Sequence, residues 1–283
     1  DLSQSRGLGD VYKRQVKTLT KNQTVAAINS LNQSLNRISG RMNYIRSTNN
    51  NSSNQNIRLA MNFDNQLLAQ QINSLSAKLI KKEKKTEKWG VWSEGSISFG
   101  RIGQQDGNLG QDIHSDGITF GIDKKINEDK TIGFAINKSW QETEVGSNEA
   151  NMDASTISIM NYTSFKIEDK RFFEMVVGIG EMDIDLSRDV TGGKNKGDRK
   201  GNQLFGSFTY LLEPDVEVVG RNLNYYSRLD LGFTQLKGYT ETGDGTAVVY
   251  NKQNVKSASL SAGLNLSKFI EIEKGIIEPS LKF

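Results

Sequence analysis

Near its C-terminal end the chain reads SASLSAGLNLS (257–267). Ser257, Ser259, Ser261, Gly263, Asn265 and Ser267 alternate with Ala258, Leu260, Ala262, Leu264 and Leu266. A period of two is a β-strand with one polar face and one apolar face. In a soluble sandwich the apolar face points to a core. In a membrane barrel it points to lipid, and the small polar residues line an interior.

The same alternation recurs along the chain. Ile118, Phe120 and Ile122 oppose Thr119, Gly121 and Asp123; Ile132, Phe134, Ile136 and Trp140 oppose Gly133, Ala135, Asn137 and Ser139. Phe173, Met175, Val177 and Ile179 oppose Glu174, Val176, Gly178 and Gly180, and Leu229, Leu231 and Phe233 oppose Arg228, Asp230, Gly232 and Thr234. The polar faces carry Ser, Gly, Asn and Ala with an occasional charge. Small side chains of this kind suit a confined, water-filled interior better than an open surface. Nine strands are predicted, at about 89–102, 113–126, 131–144, 153–167, 170–186, 202–213, 225–239, 254–269 and 276–283. Most exceed the five or six residues usual in globular sheets.

The connections alternate in length. NEDK (127–130) and EDK (168–170) read as tight turns. Residues 103–112, 144–152, 187–201 and 240–252 read as long polar loops rich in Gly, Asn and Asp. Only EPDVEVVGRNLN (213–224) is long where a short turn is due. Short turns at one end and long loops at the other are the pattern of outer-membrane barrels. The fold class expected is therefore all-β, an antiparallel transmembrane β-barrel with an N-terminal helical segment. A mean hydropathy of −0.55 does not oppose this, because half of each barrel strand is polar. No apolar run of the length needed for a transmembrane helix occurs.

Before Trp89 the period is helical. Ile28, Leu31, Leu35, Ile38, Met42 and Ile45 form a heptad-like stripe, and STNNNSSNQN (47–56) breaks it. A second helix is expected over about 57–85, with Phe63, Leu68, Ile72, Leu75 and Leu79 on its apolar side and KKEKKTEK (81–88) as a solvated end. Residues 1–15 show no periodicity, and GLGDVYKRQ (7–15) resembles translated sequencing-adapter read-through. They read as an artefact or disordered tail. No secretory leader is recognisable at the start.

A helix, a Trp-led strand and a long-stranded, Gly-rich barrel resemble the C-terminal translocator domain of autotransporters, the type V secretion proteins. The stretches that carry the resemblance are LNQSLNRISGRMNYIR (31–46), WGVWSEGSISFGRIG (89–103), HSDGITFGIDKKINEDKTIGFAI (114–136) and GIIEPSLKF (275–283). The resemblance implies a twelve-stranded barrel with the last helix of the passenger threaded through its pore. It implies a location in the outer membrane of a Gram-negative bacterium, with a passenger displayed at the cell surface. Lipid, the chain's own passenger and the barrel-assembly machinery would be its partners. On this reading residues 16–88 are passenger end, linker and pore helix, and 89–283 are a barrel short of about three strands, whose first strand lacks its closing partner.

Within that frame Phe63, Leu68, Ile72, Leu75 and Leu79 are candidates for the pore helix. Glu94, Asp123, Asn137, Glu174, Arg228, Asp230 and Asn265 are candidates for the interior face. Little else points to chemistry. The chain has 1 His and no Cys, so zinc sites and His-based nucleophiles have little to draw on. His114 falls in a predicted outer loop. GGKNKGDRKG (192–201) lacks phosphate-loop spacing, and the net charge of +3 gives no case for nucleic acid. No enzyme, metal or cofactor is expected. The Asn49–Asn50–Asn51 run reads as linker. A porin-like or enzymatic barrel without a passenger, or a soluble β-rich binding protein with a helical stalk, are the alternative readings.

Overall fold

The computed structural model describes residues 2–48, 54–62, 75–80, 89–104, 108–146, 150–218, 221–267, 270–272, 275–278 and 280–282. One helix, α1 (Leu2–Thr48), precedes the strands. In chain order these are β1 (Asn54–Asn62), β2 (Leu75–Ile80), β3 (Trp89–Ile102), β4 (Gln111–Lys125), β5 (Lys130–Val145), β6 (Ala150–Glu168), β7 (Arg171–Val190) and β8 (Gly193–Leu212). They continue as β9 (Glu217–Val218), β10 (Arg221–Leu236), β11 (Tyr239–Thr240), β12 (Thr242–Gly243), β13 (Val249–Tyr250) and β14 (Gln253–Ser267). The last are β15 (Ile270–Ile272), β16 (Gly275–Glu278) and β17 (Ser280–Lys282).

Among the described residues the main sheet runs β15-β16-β2-β1-β3-β4-β5-β6-β7-β8-β10-β14-β17 and does not close on itself. From β3 to β14 every neighbour is antiparallel. The all-β antiparallel expectation is met, and eight of the nine predicted strands appear as single long elements. The ninth is divided between β16 and β17.

This sheet is wrapped around α1. Eight strands each place a side chain within hydrogen-bond reach of the helix: Ser96, Asp123, Asn137, Ser158, Glu174, Gln203, Arg228 and Gln253. Laid flat at about 4.8 Å per strand, they would span roughly 34 Å, against a helix only about 10 Å across. The sheet must curl for all eight to reach it. Two contacts also fix the strand tilt. Gln23 meets Arg199 on β8, and Arg46 meets Glu213 just past the end of β8. The helix rises about 35 Å between those points, while the chain from 199 to 213 covers about 46 Å. Strand and helix therefore cross at about 40°, the tilt of barrel strands about their axis.

The two faces differ as the alternation predicts. The face toward α1 buries Thr119, Asp123, Asn137, Thr156, Ser158, Glu174 and Ser207. The opposite face exposes Phe120, Phe134, Ile136, Ile159, Ile179 and Leu204, and Leu260 is 75% exposed. On β8 the outward apolar residues Leu204, Phe208, Tyr210 and Leu212 span nine residues, the number that crosses a bilayer at this tilt. Past Ile179 and Leu204 the outward positions turn to Glu181, Asp183 and Asp185 on β7 and to Asn202, Lys200 and Asp198 on β8. No described helix is long and apolar enough to cross a membrane, which says nothing of crossing by strands.

Several expectations are corrected. Residues 187–201 are not a loop: β7 and β8 are 20 residues each and turn at Thr191–Gly192, where Gly192 takes a φ of +93° open to glycine. Polar residues can keep a ladder going where the strands project beyond lipid, so the difference between the two ends lies in strand overhang as well as loop length. His114 likewise stands on β4 instead of a loop, stacked on Phe99 with ring centroids 4.7 Å apart.

The second correction concerns the expected helix of 57–85. Its described parts are strands: β1 pairs antiparallel with β2 and parallel with β3. Leu75 and Leu79 therefore stand on a strand, opposite Leu59 and Gln55. Phe63, Leu68 and Ile72 lie outside the described residues. Ile57, Leu59 and Met61 also alternate with Asn56, Arg58 and Ala60, and a run this short fits either period. The edge of β3 supplies the deciding term, since an unpaired ladder is costly. That edge, expected to be open, carries β1 from Asn54↔Trp92 to Asn62↔Gly100. α1 also runs through residues 2–15, and the Thr191 amide donates to the Tyr12 hydroxyl at 2.6 Å.

Candidate functional site

The helix at the centre is α1. Its stripe of Leu31, Leu35, Ile38, Met42 and Ile45 is buried, but so are Gln23, Ser30, Ser34, Arg37 and Arg41 on its other sides. A helix that buries polar residues beside its apolar stripe needs a polar wall. The inner face of the strands supplies one.

Three arginines carry the strongest contacts. Arg41 donates from Nε to Asp123 Oδ2 at 2.7 Å and from Nη2 to Oδ1 at 2.8 Å. Neither side chain is exposed at all. Asp123 also accepts from the Tyr162 hydroxyl at 2.7 Å, which accepts from the Trp92 indole N–H at 2.7 Å. This buried chain joins α1 to β4, β6 and β3. One helical turn earlier, Arg37 reaches Ser96 on β3 and Asn137 on β5. Near the end of α1, Arg46 pairs with Glu174 on β7 and with Glu213 at 2.9 Å.

Glycines make the room. A Cβ at Gly117 would overlap the Arg37 guanidinium, and one at Gly121 would enter the Trp92 ring. Both alternate with outward apolar residues on β4, so the small inner residues are sockets for large ones on other elements.

The structure brings Asp123, Asn137, Glu174 and Arg228 into direct contact with α1. Arg228 donates to Asn36 at 2.9 Å and Ser39 at 3.1 Å, and holds Asp230 at 2.7 Å. Glu94 is buried on the inner face of β3, and Asn265 is half-buried on that of β14. Sequence reasoning missed the arginines of α1. Their signal is the 37, 41, 46 spacing beside an apolar stripe, which puts charge near a surface that must be buried.

A second polar group lies at the other end, around Arg188, Asn195, Arg199 and Glu241. Burial alone would push the Glu241 carboxyl up; hydrogen bonds from Arg188, the Val248 amide and Asn195 outweigh it and hold the carboxyl below the usual range. No group of His, Cys and acidic residues able to hold a metal occurs among the described residues.

Comparisons with known proteins agree with this geometry. The family model described as the autotransporter beta-domain matches residues 91–283. Among solved structures, the chain is similar to the translocator domain of autotransporter NalP from Neisseria meningitidis, with 17% identity and a TM-score of 0.58, over 67% of this chain and 65% of that one. It is also similar to the beta domain of the Bordetella autotransporter BrkA, with 14% identity and a TM-score of 0.51, over 69% of this chain and 76% of that one. Such identities establish likeness of fold, and the chain spans about two thirds of the NalP domain. No curated protein matches it. The family match takes in every long strand from β3 onward, and the chain belongs to the autotransporter beta-domain family.

Proposed function

We propose that this chain is the outer-membrane translocator part of an autotransporter, and that α1 is the end of its passenger, left in the pore as a plug. The observation that carries the reading is the inverted polarity around α1. Buried Arg41 and Asp123 lie inside, and a belt of exposed Ile, Leu and Phe lies outside. That arrangement is costly in water, where the belt would be an unusually large apolar patch. It is favourable in lipid, where every strand needs an apolar outside.

On this reading Glu94, Asp123, Asn137, Glu174, Arg228, Asp230 and Asn265 line the pore. The chain N-terminal to α1 would leave by the mouth where β7 and β8 project, and Arg46 would lie toward the periplasm. An unfilled polar pore leaks, and a helix with polar residues all round closes it while satisfying the wall. The domain would act by passage and plugging, with no catalytic step of its own, and insertion would depend on the cell's barrel-assembly machinery.

The test uses the full-length protein in a Gram-negative host. Outer-membrane fractionation with heat-shifted gel migration would report the barrel, and protease shaving of intact cells would report the passenger. A passenger removed by external protease and a resistant membrane remainder are expected. A soluble protein, or a passenger protected until cells are lysed, would overturn the reading.

A further inference from the structure

The connection between β10 and β14, residues 237–252, does not stand away from the molecule. The Lys237 amide donates to the Lys200 carbonyl at 2.8 Å, and β12 pairs with β8 through Thr242↔Lys196. The connection therefore runs along the edge of the β8 overhang. Pairing of β11 with β13 closes it into a small hairpin, with the Tyr239 and Tyr250 rings stacked at 4.5 Å.

Two sets of contacts hold it. The first is to the strands alone. Glu241, nearly fully buried, accepts from Arg188 Nε at 2.8 Å and from Nη2 at 2.7 Å. Asn195 donates to Glu241 and to the Thr246 carbonyl, and accepts from the Gly245 amide at 3.0 Å. The second set reaches α1. Arg199 donates to the carbonyls of Lys237 and Asn251, at the two feet of the connection, and to Gln23 of the helix. Beside its feet, Gln253 at the start of β14 donates to Thr24 at 2.8 Å, and Tyr239 of the connection packs, with Leu236 of β10 and Val255 of β14, against the cluster that holds Leu19, Ala26 and Ala27. All of this lies beyond the apolar belt, where a helix surrounded only by water is marginal without lateral packing.

We infer that residues 237–252 form a latch at the outer mouth: Arg188 and Glu241 keep it seated on the β7–β8 overhang, and its inner side grips the outer half of α1 so that the plug stays in place. The division of contacts supports this. The hydrogen bonds of the first set come from strand residues alone, although Arg188 also lies 5.6 Å from the Tyr12 ring of α1, so the latch can be seated on β7 and β8 before α1 arrives. The helix set forms only once Gln23 and Thr24 are at the depth seen here. The inference rests on the translocator reading, and concerns retention of the plug, not passage of the passenger.

The experiment uses full-length protein in cells with a periplasmic β-lactamase, reading nitrocefin hydrolysis for leakage, protease shaving for display and heat-shifted migration for folding. Glu241→Gln is expected to raise nitrocefin entry several-fold while display and heat shift stay as in the parent. Replacing residues 242–247 by two glycines should leak in the same way and gives a second route if the point variant does not fold. In the Glu241→Gln background, a disulfide between Thr24→Cys and Gln253→Cys should bring entry back to the parental level. Parental tightness in both folded variants, or a leak that the disulfide does not reduce, would overturn the latch. A parent protein that never displays its passenger would instead sink the translocator reading, whatever the leak.

Discussion

Arg41→Met would take both guanidinium hydrogen bonds from Asp123, which stays buried beside α1 and the Tyr162 hydroxyl. Both side chains of the pair have zero exposure, so no water screens a carboxylate that has lost its countercharge. Removing one partner of such a pair costs about 3–5 kcal/mol. Asp123→Asn should cost a comparable amount, because it takes the countercharge from the guanidinium and weakens the Tyr162–Trp92 chain. The double variant removes both charges, so its loss should fall at least about 2 kcal/mol short of the sum of the singles. The assay is urea unfolding of the full-length protein in lipid vesicles, followed by the fluorescence of Trp92. Trp92 is buried at the helix contact, whereas Trp89 and Trp140 are about half exposed; these two, with any tryptophan outside residues 1–283, can be replaced by Phe to isolate it. Singles that cost under about 1 kcal/mol, or singles that add, would mean the pair is hydrated. The tight packing of α1 against β4 would then be wrong.

Three further outcomes follow from the same geometry. Leu264→Arg, on the outward face, should destabilise the barrel in lipid by about 2–4 kcal/mol, while Ser261→Arg, on the inward face of the same strand, should cost distinctly less; the reverse order in vesicle unfolding would invert the faces. Gly121→Val should cost about 1–3 kcal/mol by crowding Trp92, whereas Gly95→Val, with open space at its Cβ, should stay within about 0.5 kcal/mol; equal effects in the same titration would contradict the socket. Because the Glu241 carboxyl is held below its usual range, its contribution is present in full above the unfolded glutamate pKa of about 4.3 and is lost as pH falls below that value and through the lower folded one. A fluorophore at Thr246→Cys should therefore gain mobility only in acid below that range, and mobility rising toward alkaline pH would refute the assignment.

The strands were legible because alternation with an apolar outside and a small polar inside is dictated residue by residue by the bilayer and the interior. The identity of the central helix was not. Ile28 to Ile45 and Leu68 to Leu79 carry similar stripes, and a stripe reports an apolar neighbour without saying which one. The choice falls on Arg37, Arg41 and Arg46, whose partners Asn137, Asp123 and Glu174 lie 82 or more positions away. The stretch 187–201 misled for a related reason. Gly, Asn and Lys favour turns, but the inner side chains Arg188, Asn195 and Arg199 each find a partner that rewards continued pairing, and none of those partners is local.

The claim most in need of test is that the polar face of the barrel encloses α1. Ser34 of the helix and Ser158 of β6 have their hydroxyl oxygens 3.4 Å apart, and the chain has no cysteine of its own. Ser34→Cys with Ser158→Cys in the full-length protein, oxidised in intact outer membranes, should form an internal disulfide seen as a faster band on non-reducing gels. A pair that stays reduced in a folded, heat-shifted protein, while Leu75→Cys with Ser158→Cys does cross-link, would place another segment in the barrel and contradict the account.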